Sequence, residues 1–69
     1  HGRELKMCES HAYLLEGDEQ KLIMEDVIDI REENGKVVLS NIIGEERVLD
    51  AEVAAITLLE HKVLLKPLG

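Results

Sequence analysis

The run Met7-Cys8-Glu9-Ser10 holds the residue with the most chemistry available to it, the single cysteine of the chain. Met7 occupies the place of an initiator methionine with six residues in front of it. Aminopeptidases remove a start methionine when a small residue follows, and cysteine is small enough, so the natural product would begin at Cys8 with a thiol and a free α-amine on one residue. Amine nitrogen, the next amide nitrogen and thiolate sulfur form a chelate suited to Ni(II) or Cu(II), which favour square-planar nitrogen and sulfur donors. The competing reading is a small apolar residue packed in a core, the common fate of a free cysteine. A lone thiol cannot close an internal disulfide and fits a reducing cytoplasm.

Few other residues are placed for chemistry. His11 follows Cys8 by three positions, which puts it on the opposite face of a regular strand. It joins Cys8 as a metal ligand only through a bulge or from a second subunit; otherwise it is a solvated or hydrogen-bonded strand histidine. His61 stands at an expected hairpin tip and reads as a turn residue. Met24 lies in an aliphatic stripe and reads as core. The carboxylates Glu16, Asp18, Glu19, Glu25, Asp26, Asp29, Glu32 and Glu33 lack the spacing of a calcium loop and read as a solvated surface. No nucleophile elbow and no phosphate-cradling glycine loop occurs, so no enzyme is expected.

The elements that would carry these residues are strands. Short apolar runs broken by turn residues recur every eight to twelve positions, the pattern of a small all-β fold. A first strand is expected from Cys8 to Leu15, with Glu9, His11 and Tyr13 on one face and Cys8, Ser10, Ala12 and Leu14 on the other. Glu16 to Glu19 turns the chain. Gln20 to Arg31 reads as a second strand, with Leu22 and Met24, then Ile28 and Ile30, in phase; Asp26 breaks the face, so a bulge is expected near Glu25-Asp26. Asn34-Gly35 is the strongest local signal, because both central residues of a type I′ hairpin turn need positive φ. Lys36 to Asn41, Glu46 to Leu49, Val53 to Leu58 and Lys62 to Lys66 complete the set, with turns at Ile42–Glu45 and Leu59–His61 and an end at Pro67. Asp50 to Glu60 also admits a helix with Asp50 as N-cap; its β-branched residues favour strands.

Size and charge bound the function. The chain has 69 residues, one domain, and a domain this small buries only about 60% of its unfolded surface. Its core must be aliphatic, since Tyr13 is the only aromatic residue beside 11 Leu, 6 Ile and 6 Val. Residues 7–69 are expected to form the domain. Residues 1–6 show no apolar run or cleavage site of a secretory signal; they read as a leader, either vector-derived or translated upstream sequence, and are expected to be disordered. No segment approaches the roughly 20 apolar residues that span a bilayer. The formal charge of −7 repels phosphate backbones and anionic membranes and favours cations or basic partners. Val37-Val38-Leu39 and Val63-Leu64-Leu65 are apolar on both strand faces, so the second face needs cover, and dimerisation is the expected cover.

Beyond single residues, Met7-Cys8-Glu9-Ser10, Ile23-Met24-Glu25-Asp26-Val27, Asn34-Gly35-Lys36-Val37-Val38-Leu39, Ile43-Gly44-Glu45 and Leu59-Glu60-His61-Lys62-Val63-Leu64-Leu65 form a pattern that resembles the CooT family. These are small nickel-binding proteins, some of them carbon monoxide dehydrogenase accessory proteins; an earlier family label was RNA-binding protein. The methionine-cysteine start is the specific part of the likeness. The resemblance implies a small SH3-like β-barrel of about five to seven short antiparallel strands, forming a homodimer. It implies Ni(II) as the metal, held by Cys8 with the two copies meeting near the dimer axis, and a nickel enzyme such as carbon monoxide dehydrogenase as client. Two other readings stay open. An RNA-binding barrel would use basic grooves and stacking aromatics, both scarce here. An acidic interaction module would leave Cys8 structural.

Overall fold

A computed structural model describes the backbone of residues 3–68 and the side chains of residues 9–68. Six strands form one sheet: β1 (Arg3–Glu16), β2 (Glu19–Glu33), β3 (Lys36–Asn41), β4 (Glu46–Leu49), β5 (Ala51–Thr57) and β6 (Lys62–Pro67). Their order is β4-β3-β2-β1-β6-β5, curled so that β3 approaches β5 across the interior. This is the small all-β barrel class expected from the sequence, with no helix among the described residues. The segment that also admitted a helix forms β5, because Val53, Ile56 and Thr57 pair in antiparallel register with β6.

The core is aliphatic and small. Val27, Val37, Leu39, Val63 and Leu65 are fully buried, with Ala12, Ile30 and Ala51 beside them and Leu14, Ile23, Met24, Leu49 and Val53 packed against their edge. The alternation of β1 holds: Ser10 and Ala12 are buried, Leu14 meets the core, and Glu9 on the other face is exposed. Asn34 and Gly35 have φ of 50° and 76°, the pair of positive values a type I′ turn requires. At the opposite end the buried Asn41 pins the turn before β4. Its amide nitrogen donates to Glu45 Oε1 at 2.8 Å, and its Oδ1 accepts from Glu45 N–H at 2.9 Å. Every polar atom of that buried side chain therefore has a partner, which offsets its desolvation.

Several features depart from the expected layout. β1 starts at Arg3, not Cys8: Arg3 to Lys6, expected as disordered leader, pair with Glu32 to Asp29. β2 is 15 residues long and offers backbone donors and acceptors well past Val27, so the incoming chain satisfies its own polar groups by pairing there. His1 and Gly2 lie outside the described residues. The bulge at Asp26 is present, with Asp26 at φ 55°. A second irregularity, between the Val27–Asn41 and Asp29–Ser40 pairs, adds one residue to β2. In consequence Val27 and Ile30 face the core while Ile28 is only half-buried, a phase shift that uninterrupted alternation does not give. Finally, β1 and β6 pair in parallel, His11 to Leu14 against Lys62 to Leu65. Adjacent strands joined by tight turns must be antiparallel, but β1 and β6 are joined only through the rest of the chain, so no turn dictates their direction.

Candidate metal centre

Cys8 lies within β1 at its most irregular point. Lys6 pairs with Asp29 and Ser10 with Val27, so Met7, Cys8 and Glu9 together stand opposite Ile28 alone. The chain must kink to fit three residues against one, and strict two-residue alternation does not survive the kink. The Cys8 side chain itself lies outside the described residues, so the expected placement of its thiol, and of a shared ligand set with His11, lies outside them too.

His11 is half-buried where β1 meets β6. Its main-chain N–H donates to the His61 carbonyl at 2.9 Å. His61 has φ 53° and is exposed at the β5–β6 turn, its own N–H donating to the Leu58 carbonyl at 3.3 Å. Two of the three histidines thus meet through their backbones. Local sequence holds no signal of this, because the contact is made by the long-range parallel pairing. His11 Nδ1 is buried and has no hydrogen-bond partner, which leaves a ring nitrogen with unused lone-pair or donor capacity. Two positions further, Tyr13 presents its ring to the Lys62 ammonium, 5.3 Å from the centroid, a cation–π contact across the same strand pair.

The donor set for a soft divalent ion within one chain is small. Among the described residues no three His, Cys, Asp or Glu side chains converge as a metal cage. The carboxylates read as solvated surface mostly stay so, but Asp29 is half-buried in a chain of ion pairs. Arg31 lies 3.7 Å from Asp29 Oδ2 and 3.0 Å from Glu46 Oε2. That arrangement ties β2 to β4 across β3. Met24 packs against the core, as its aliphatic surroundings indicate. Of the two ligands expected from the sequence, His11 has a buried, unpartnered Nδ1, and the Cys8 side chain lies outside the described residues.

Comparison with known proteins bears on this geometry. The sequence model of the family described as "CO dehydrogenase accessory protein CooT" matches residues 7–66. The chain belongs to the CooT family. That family is an accessory family rather than a catalytic one, and the CooT match begins at Met7, so Cys8 is its second residue. A crystal structure assigned as CooT from Carboxydothermus hydrogenoformans superposes with a TM-score of 0.84 at 29% identity, covering 90% of this chain and all of that one. No curated protein matches the chain. No helix among the described residues is long and apolar enough to cross a membrane.

Proposed function

We propose that this CooT-family chain binds Ni(II) as a cytoplasmic homodimer and stores it for, or delivers it to, a nickel enzyme such as carbon monoxide dehydrogenase. The observation that carries this reading is the family match that opens on Met7-Cys8. Cys8 from each of two copies supplies sulfur and backbone nitrogen, a four-donor set that suits a square-planar ion. His11, whose Nδ1 is buried and unpartnered, is the second candidate ligand, in place of a backbone nitrogen. An acidic field of net −7 draws cations toward the molecule. Residues 7–69 are the unit to which nickel binding is assigned, the family match starting at Met7; Arg3 to Lys6 extend β1 in front of it. Removal of the leader and of Met7 frees the Cys8 amine for chelation.

The test uses protein started at Met7, with intact mass confirming whether Met7 is removed. Ni(II) titration followed by thiolate charge-transfer absorption is expected to saturate at about one ion per two chains, the count set by four-coordinate geometry. Cys8→Ser is expected to abolish the band. Unchanged nickel binding in Cys8→Ser rejects the proposal.

A further inference from the structure

The first half of β2 has a strand on one edge only. β1 pairs with it from Glu19 onward, whereas β3 joins β2 only from Val27. Along the open edge runs a cleft of about 550 Å³ whose far wall is the turn between β3 and β4. Leu22, Met24, Ile42 and Ile43 make its walls apolar, and Leu22, Ile42 and Ile43 are 45%, 54% and 76% exposed. Exposed aliphatic groups that line one concavity beside an unpaired strand edge mark a place where another chain can add.

The charges around the cleft select its occupant. Glu25, Asp26, Glu45 and Glu46 border it, with Arg47 as the one cation of the lining. Arg47 is held away from a ligand, its Nη1 donating to the Ile23 carbonyl at 3.0 Å. Glu46 is engaged by Arg31 and Glu45 by Asn41. Glu25 and Asp26 make no ion pair among the described residues. A second copy of this edge would bring like charges together, and a nucleic acid would bring phosphates to carboxylates; both are disfavoured.

We propose that this cleft receives an extended segment of another protein, with Lys or Arg alternating with aliphatic residues, as an added strand on the open edge of β2. Alternation is the natural match, because successive side chains of a strand point to opposite faces. One face of the segment packs its aliphatic groups between Leu22 and Ile42; the other turns its cations toward Glu25 and Asp26. Main-chain bonds to β2 groups other than the Ile23 and Asp26 carbonyls, which Arg47 and Ile42 already engage, supply affinity, and the alternating side chains supply selectivity. The site uses neither Cys8 nor His11, so it stands whether or not the chain holds nickel.

The experiment titrates ¹⁵N-labelled full chain with a capped peptide of alternating Lys and Val at low salt. Amide shifts are expected over Lys21 to Asp26 and at Ile42 and Ile43. The double variant Glu25→Gln, Asp26→Asn keeps a residue that tolerates positive φ at position 26 and is expected to bind about fivefold more weakly, the size of two lost surface ion pairs. An alternating Glu and Val peptide is expected to leave the spectrum unchanged. No shifts at millimolar peptide, shifts centred on the β5 edge, or unchanged affinity in the double variant would overturn the proposal. So would an oligouridylate that moves the same amides, or concentration-dependent shifts there without peptide, which would assign the cleft to RNA or to a second copy.

Discussion

Cys8 and His11 differ in how much of their proposed role is written locally. The chelate proposed for Cys8 is legible in Met7-Cys8, because it depends on chain position. His11 is not: whether it meets Cys8 depends on a bulge that places three residues of β1 opposite Ile28, and no local residue type announces that bulge. His11→Ala is expected to weaken nickel binding about tenfold, a loss of roughly 1.4 kcal/mol. Folding stability should change by less than about 1 kcal/mol, since the ring's Nδ1 has no bond within the chain to lose. Parallel charge-transfer titration and urea unfolding separate these effects; equal nickel affinity would remove His11 from the ligand set. Gly35 is the opposite case, a residue whose role is readable from Asn34-Gly35 alone. A Cβ there would meet nothing within 4 Å, but φ is +76°. Gly35→Ala is therefore expected to cost about 1–2 kcal/mol purely through backbone conformation, measured as a lower urea midpoint with unchanged slope.

Strands were legible where residues alternate or turn sharply, and less so where register slips. Asp26 announces its bulge by interrupting an aliphatic face, and Asn41 gives no such sign although it holds the β3–β4 turn with both ends of its amide. The β5 segment needed its partner to decide between helix and strand, because Ala54 and Ala55 carry no β preference and only pairing with β6 settles it. The open edge of β2 is likewise invisible in the sequence, since it arises from where β3 begins to pair. Packing shows how little margin these elements have. Leu39 is fully buried and Leu59 is 95% exposed. Leu39→Ala is expected to cost about 2–5 kcal/mol, comparable to the whole stability of so small a domain, and Leu59→Ala about zero. Circular dichroism with urea should show the first largely unfolded at temperatures where the second is native; similar midpoints would contradict the core assignment.

Seen whole, the molecule combines a thin aliphatic core with a surface of net charge −7. Outside the cleft along β2, Val48, Ile56, Leu58, Leu59 and Leu68 stay exposed. A chain of 7.8 kDa with this much uncovered aliphatic surface is consistent with the proposed pairing of two copies around nickel. Sedimentation equilibrium of the Met7-start protein is expected to give twice the chain mass with nickel present, and a shift toward single chains when a chelator removes it from dilute samples. A monomer at all concentrations with nickel fully bound would exclude a shared site. The dimer was suggested by strands apolar on both faces. Sequence does not give its geometry, because mutual approach depends on shape as well as composition.

The side-by-side, same-direction pairing of β1 with β6 has a consequence for how this protein comes into being. Of the six strands β1 leaves the ribosome before the others, yet one of its two neighbours, β6, follows all of them. The growing polypeptide must keep β1 half-matched until synthesis reaches Leu65, so the sheet is zipped shut at the end and not built progressively. Such distant closure slows folding toward the millisecond-to-second range of all-β domains.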